Sequence, residues 1–289
     1  MPYLLALASA LLYGAADFTG GLATRRTGVL PVLVVSQLSG LVLLLLLLPL
    51  LPAASPSRAD LLWGLSAALT GSVGVALLYQ GLAIGRMAVV APTTAVCAVA
   101  IPVLVSLLLG ERPGPPALAG ILLGVGSIVL VSQQTAVGSG AGGRDQRSTW
   151  RLPPGVGIAL VSGVAIGLFF LSLARTRPEA GMWPILVSRA VSATLFGAGA
   201  AAGRHSLRLP GVLVLTLVCG AMDMSANALY LLAARVGPLS VVVTLSSLYP
   251  ASTVLLARVV LGERLNGRQV AGVGCALAAI VLIVSGGRP

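Results

Sequence analysis

The tetrapeptide Leu-Gly-Glu-Arg stands at residues 109–112 of this chain and again at residues 261–264. The same offset of 152 residues relates two further sets of residues: Gly120 to Gly272, and Val35-Ser36-Gln37 to Val187-Ser188-Arg189. Tyr79 and Tyr230 fit this offset with a slip of one residue. The chain is therefore a duplication of one unit.

The composition excludes the ordinary soluble classes of protein. Apolar residues make up 57% of the 289 residues, charged residues only 9%, and the mean hydropathy is +1.03. A soluble protein carries about 25% charged residues. A chain with so little charge cannot cover its apolar surface with polar groups, so the sequence predicts a membrane protein.

Ten apolar runs, separated by Arg, Pro and Gly residues, approach the ~20 residues that a membrane helix needs. The predicted spans are about 2–23, 29–50, 60–84, 87–109, 115–133, 154–174, 181–202, 210–234, 238–260 and 267–286. Each unit holds five spans, and an odd number makes the second unit cross the membrane in the opposite sense. Many secondary transporters are inverted repeats of this kind, with the substrate between the two halves.

The sequence thus predicts an all-α membrane protein of ten transmembrane helices, arranged as two inverted five-helix repeats. The repeats are residues 1–133 and 154–289. Residues 134–153 are polar and rich in Gly and Ser, which indicates a flexible linker.

The remaining composition narrows the possible functions. The net charge of +11 comes from Arg in short loops and not from a folded basic domain, so no nucleic-acid partner is expected. The three cysteines lie singly in apolar runs and His205 is the only histidine, so neither a metal site nor a cofactor is expected. The spans hold no Ser/His/Asp set and no phosphate loop, which argues against an enzyme.

Two acidic residues lie inside predicted spans, where an ionisable group costs several kcal/mol and usually faces a cavity or a partner. Asp17 shares a helix face with Tyr13, and Asp223 shares one with Asn227 and Tyr230. One interpretation makes either acid a proton carrier or the counter-ion of a cationic substrate. The other pairs an Asp with Arg189 in a structural salt bridge.

Further polar residues are candidates for lining the cavity or for structural roles. Tyr79, Gln80, Thr244 and Ser247 lie on spans that the repeat makes equivalent, so we expect them to line the cavity. For Arg189 we favour a structural role because the matching position in the first half is the neutral Gln37. Glu111 and Glu263, in the two tetrapeptides, lie at span ends, where each carboxylate can cap the next helix.

The chain resembles the drug/metabolite transporter superfamily, and within it the EamA-domain family. The likeness covers nearly the whole chain: two five-helix units, each with a Gly-Glu motif (Gly110-Glu111 and Gly262-Glu263) before a Gly-rich fifth helix. The segment Tyr-Gly-Ala-Ala-Asp-Phe-Thr-Gly-Gly at 13–21 is similar to the first helix of one bacterial branch. The resemblance implies a multi-pass carrier of the bacterial inner membrane with a cavity lined by helices 1, 3, 4, 6, 8 and 9, and it places Arg189 on a peripheral helix.

The function predicted is secondary active transport by alternating access, as a proton-coupled exporter of small polar or cationic metabolites, amino acids or drugs. Two alternatives remain open: a proton-independent facilitator of a neutral solute, and a membrane scaffold or lipid-handling subunit without transport. The expected partners are a small substrate, membrane lipid and protons, with the chain a monomer or weak dimer. The sidedness is also open, because loop Arg residues number ten on one side and six on the other, which favours an outside N-terminus, whereas the resemblance implies an inside one.

Overall fold

The structure is a computed structural model that describes residues 1–108, 114–132, 153–236, 242 and 245–286. Two of the candidate residues, Glu111 and Thr244, lie outside this described part of the chain. Within it the protein is all-helical, with ten α-helices and no strand.

Five helices come from each half of the chain. The first half contains α1 (Pro2–Thr27), α2 (Val29–Leu47, followed by a 3₁₀ turn at Leu48–Leu50), α3 (Arg58–Ile84), α4 (Met87–Leu108) and α5 (Pro115–Ser132). The second half contains α6 (Val156–Ala174, followed by a 3₁₀ turn at Pro178–Ala180), α7 (Trp183–Ala202), α8 (Leu213–Val236), α9 (Tyr249–Val260) and α10 (Gly267–Gly286).

Seven of these helices are long and apolar enough to cross a membrane: α1, α2, α3, α6, α7, α8 and α10. In the other three the described apolar segments are shorter: Met87–Pro102 in α4, Leu118–Ser127 in α5, and Tyr249–Val260 as the whole of α9. Large apolar side chains such as Leu11, Leu46 and Val259 are exposed on the outside of the bundle. This surface suits lipid rather than water.

The ninth predicted span differs most from the structure. The apolar run predicts one continuous helix over 238–260. Among its described residues, 242, 245 and 246 are helical, Ser247 and Leu248 form a turn, and α9 begins at Tyr249. Pro250 occupies the first turn of α9. Proline has no N–H to donate, so it is well accommodated at the start of a helix and poorly in its interior. Hydropathy averaged over the run does not detect such a turn, because the run is apolar as a whole.

The two halves pack against each other more than within themselves, and most of the contacts between the halves recur when each helix is exchanged for its counterpart five places along, although the packing of α4 on α10 has no comparable counterpart in the described residues. The packing of α1 on α8 matches that of α6 on α3, that of α3 on α7 matches α8 on α2, and that of α4 on α6 matches α9 on α1. The pairs α2–α7, α4–α9 and α5–α10 are each their own counterpart. This pattern fits a chain built from two similar five-helix repeats.

Small residues and serine hydroxyls hold the halves together. A side chain at Gly220 in α8 would overlap the backbone of Ser36 in α2, so these helices touch at the main chain. Ser9 in α1 donates to the carbonyl of Ala226 in α8 at 2.8 Å. Close backbone approach and hydroxyl hydrogen bonds are the usual stabilising contacts between membrane helices, since lipid supplies no hydrophobic drive for association.

Loop contacts define two ends of the bundle. At the first, called the Arg25 end, Arg25 at the close of α1 donates to the carbonyls of Leu82 (3.1 Å) and Gly85 (2.8 Å) at the close of α3. Gly155, which precedes α6, lies against Gly85 at this same end. At the other, called the Asp60 end, Arg177 after α6 binds Asp60 in the first turn of α3.

Candidate functional site

Asp17 lies between the halves without a charged partner. It is half-buried on α1, and its carboxylate makes no hydrogen bond or ion pair with any residue in the described part of the chain. It lies within electrostatic range of Tyr13, Tyr79 and Tyr249. An uncompensated carboxyl in a bundle interior is costly, and such groups usually serve ion or substrate binding.

Four of the five tyrosines, each on a different helix, lie close to Asp17 or to one of its tyrosine neighbours. The rings of Tyr13 on α1 and Tyr249 on α9 meet edge to face, with centroids 6.3 Å apart. Tyr79 on α3 is buried, and Tyr230 on α8 is a close electrostatic neighbour of Tyr13. Only Tyr3 stands apart, exposed near the N-terminus. Three tyrosines therefore lie within electrostatic range of Asp17, and Tyr230 lies within range of Tyr13.

Asp223 on α8 is in a different state from Asp17, because it forms an ion pair with Arg189 on α7. Arg189 also donates to Gln37 Oε1 on α2 at 2.9 Å. Gln37 and Arg189 are the repeat-equivalent pair identified from the sequence, and in the structure they contact each other directly. The side chain of Arg189 is 12% exposed, so it is largely buried within the bundle.

The other predicted lining residues in the described part of the chain make no contact with Asp17 that the structure shows. Asn227 donates to the backbone carbonyl of Asp223 at 2.8 Å, a bond within its own helix. Tyr230 packs in an apolar cluster with Ala6 and Ala233. Gln80 is half-buried on α3, and Ser247 is half-buried in the turn before α9.

Glu263 caps a helix, but not the one expected. The sequence predicts that it caps the next helix, α10. In the structure its two carboxylate oxygens accept from the backbone N–H groups of Met87 (3.1 Å) and Ala88 (3.0 Å), which begin α4 of the other half. The free N–H groups at the start of a helix attract a carboxylate from any part of the chain. In this fold the start of α4 lies against Glu263.

Three interior residues escaped the sequence analysis. Cys219 was interpreted as an apolar residue, yet its thiol lies 3.1 Å from the Tyr79 hydroxyl and donates to the carbonyl of Ala16 at 3.3 Å. Tyr249 and Gln37 were not candidates. A signal for Tyr249 existed: tyrosine is rare here, and this one directly precedes a proline in an apolar run.

A cavity of about 1210 Å³ opens at the Arg25 end and is lined partly by Arg25, Arg86 and Glu263. Asp17, two turns earlier on α1, does not line it. The cavity therefore lies between the loops at one end of the bundle, outside the tyrosine-lined interior.

Comparison with known proteins gives one clear family match. The profile of the EamA-like transporter family matches residues 1–133 and 153–285, which is one match for each half. No curated protein matches the chain. A solved structure titled only "Crystal structure of protein" is 16% identical, covers 97% of this chain and 95% of its own, and superposes with a TM-score of 0.61. That likeness concerns the fold alone.

Proposed function

The chain belongs to the EamA-like transporter family, and on that premise we propose that it is a secondary active transporter in which Asp17 exchanges a proton for a small cationic substrate. The family membership makes it a multi-pass membrane protein that moves small molecules. The proton coupling, the substrate class and the arrangement of the spans are parts of the proposal. The observation that supports the proposal most directly is the carboxyl of Asp17, which lies near the tyrosines without an ion-pair partner in the described part of the chain.

The proposed architecture has ten spans in two inverted repeats, residues 1–133 and 154–289, joined by a linker at 134–153. The exchange symmetry of the helix packing supports it. So does the position of Gly155, because α6 begins at the Arg25 end, where α1 finishes. Counterpart helices that run in opposite directions are what an inverted repeat requires.

Asp17 is preferred to Asp223 as the proton site because of their partners. A coupling group must gain and lose charge during the cycle. Asp223 is held in its charged form by Arg189, and protonating it would leave the arginine charge uncompensated in the interior. Asp17 has no such partner among the described residues, so it can take up and release a proton without stranding a second charge.

The surroundings of Asp17 favour a cation as substrate. Tyrosine faces attract ammonium groups by cation–π interaction, worth about 0.5–2 kcal/mol each. Tyr13, Tyr79 and Tyr249 bring three such rings within electrostatic range of one carboxylate. A proton and an organic cation would compete for that carboxylate, and competition for a single site couples their movements in opposite directions.

The test uses purified protein in proteoliposomes. A thermal-shift screen of organic cations, amino acids and nucleosides first identifies a ligand that raises the melting temperature, because binding to the folded state stabilises it. Transport of that ligand is then driven by a pH gradient. Asp17→Asn keeps the side-chain shape but cannot release a proton, so we expect gradient-driven accumulation to be lost.

Asp223→Asn is the matched control, with the same chemical change made on the ion-paired acid. It is expected to retain gradient-driven accumulation per folded molecule. Undiminished accumulation by Asp17→Asn would contradict the proposal. Downhill transport of the ligand without any gradient-driven accumulation in the unchanged protein would favour a proton-independent facilitator. Loss in Asp223→Asn alone would move the proton site to Asp223.

The remaining parts of the proposal come from the resemblance and the composition. They are export across a bacterial inner membrane, lipid contact around the bundle, a monomer or weak dimer, no enzymatic activity and no nucleic-acid partner. We also retain Tyr13, Tyr79, Gln80, Asn227, Tyr230, Thr244 and Ser247 as the proposed lining of the substrate path.

A further inference from the structure

One carboxylate ties the two halves together at the Arg25 end. Glu263, in the loop between α9 and α10, accepts two hydrogen bonds from the first turn of α4 and lies 3.6 Å from Arg25 Nη2 on α1. Its side chain is 11% exposed. Next to it, Arg86 donates to Gln269 Oε1 at 3.0 Å and to the carbonyl of Arg264. Every one of these contacts joins the first half to the second.

Separating the halves at this end would leave several groups without partners at once. The N–H groups of Met87 and Ala88 would lose their acceptor, and Glu263 and Arg25 would lose each other. Unpaired groups of this kind need water. The cavity at the Arg25 end borders the same residues and provides a route for that water. Separation of the halves at the Arg25 end therefore requires water to enter at the same time and solvate the groups that lose their partners.

The opposite end is tied by the repeat counterpart of Arg25. Arg177 lies 152 residues after Arg25, which is the repeat offset. Its backbone N–H donates to Asp60 Oδ1 at 2.9 Å, and its guanidinium donates to Oδ2 at 3.0 and 3.2 Å. This contact also joins the two halves, since Asp60 begins α3 and Arg177 follows α6. Equivalent arginines thus bind carboxylates of the opposite half at the two ends of the bundle.

From these contacts we propose that Arg25–Glu263 and Arg177–Asp60 are the two latches of the transport pathway, and that each must break for the pathway to open at its own end. The proposal rests on the proposed function, because only an alternating-access protein needs to open its ends in turn. Glu263 acts on the conformation and does not touch the substrate. Both ends are latched in this structure, which is thus the closed intermediate between the two open states.

The experiment measures the two ends separately by double electron–electron resonance between spin labels. One pair, at Arg26→Cys and Arg268→Cys, reports on the Arg25 end. The other, at Ala59→Cys and Arg175→Cys, reports on the Asp60 end. All four positions are exposed. The three native cysteines are replaced by serine, and no substrate or proton gradient is needed, so failure of the coupling mechanism does not affect the result.

Glu263→Gln removes the charge that binds both Arg25 and the start of α4. We expect the long-distance fraction at the Arg25 end to rise about tenfold relative to the short one, with the Asp60 end unchanged. Arg25→Gln should do the same, more weakly. Asp60→Asn should widen only the Asp60 end. Glu179→Gln is the matched control, because it removes an exposed carboxylate and should widen neither.

The outcomes separate cleanly. Widening confined to the end that carries the substitution supports the latches. Unchanged distances at the Arg25 end in both Glu263→Gln and Arg25→Gln overturn the proposal, as does equal widening of both ends, which indicates general loosening. Failure of both variants to fold overturns it too, since a latch must be dispensable for folding.

Discussion

Asp223→Asn should destabilise this protein, whereas Asp17→Asn should leave it equally stable or more stable. Asp223→Asn breaks the ion pair with Arg189 and leaves a guanidinium in the bundle interior with Gln37 as its remaining partner. Asp17→Asn replaces a carboxyl that has no such partner in the described part of the chain. The two substitutions are chemically the same, so a difference between them reports on the surroundings.

The magnitude for Asp223 follows from its exposure. An exposed ion pair contributes about 0–1 kcal/mol, and removing one partner of a fully buried pair costs about 3–5 kcal/mol. Asp223 has 27% of its side chain exposed and Arg189 has 12%, which places this pair between the limits. Because Gln37 still accepts one hydrogen bond from Arg189, we expect a loss of about 2 kcal/mol in the free energy of unfolding.

The assay is a double-mutant cycle on protein in detergent, followed by thermal unfolding and by denaturant titration. Its members are Asp223→Asn, Arg189→Gln and the two together. Residues in direct contact show coupling energies of about 0.5–3 kcal/mol, whereas independent residues do not. The double variant should therefore be less destabilised than the sum of the single variants. Asp17→Asn, measured alongside, should leave the protein equally stable or more stable.

Two results would refute this reasoning. Strict additivity of Asp223→Asn and Arg189→Gln would show that the ion pair contributes nothing to the folded state. A loss for Asp17→Asn as large as that for Asp223→Asn would show that Asp17 also has a stabilising partner, and Asp17 would then lose its claim to be the unpaired proton site.

Two further predictions concern packing between the halves. Gly220→Ala should destabilise the protein by about 1–3 kcal/mol in thermal unfolding, because the added methyl group overlaps the backbone of α2. The control is Gly197→Ala, where an added methyl group contacts no other atom. Equal losses of stability in the two variants would contradict the expectation. Tyr79→Phe should cost about 0.5–1.5 kcal/mol through loss of the contact between its hydroxyl and the Cys219 thiol. The matched control, Tyr3→Phe, changes an exposed tyrosine and should leave the stability unchanged. If Tyr79→Phe and Tyr3→Phe gave the same stability within error, the contact between the Tyr79 hydroxyl and the Cys219 thiol would contribute nothing.

Much of the fold could be predicted from the sequence because the bilayer restricts what a chain can do. In hydrocarbon every backbone polar group must be satisfied internally, so a long apolar run has to be a helix. The run at 267–286 predicts α10 to the residue, and the run at 29–50 predicts α2 with its 3₁₀ turn. The ninth run is interrupted by a turn at Ser247 and Leu248, with Pro250 in the first turn of the helix that follows, and hydropathy does not distinguish the start of a helix from its interior.

The candidate site could be predicted only in part. The cost of charge in a membrane identified Asp17, Asp223 and Arg189 as the residues to examine, and it required each to have a partner or a cavity. It could not assign them. In the structure Asp223 forms an ion pair with Arg189, and Asp17 lies near the tyrosines without an ion-pair partner in the described part of the chain. Tyr249, one of these tyrosines, was not among the candidates.

The sequence by itself determined that this protein is a duplicated helical membrane protein, because long apolar runs and a repeat offset are properties of the chain alone. The tertiary structure decided which groups meet. Glu263 lies 176 residues from Met87, and Gln37 lies 152 residues from Arg189. Such contacts depend on how helices rotate and pack, and apolar faces of similar composition on every side leave that rotation undetermined until the small residues and hydrogen bonds between the halves fix it.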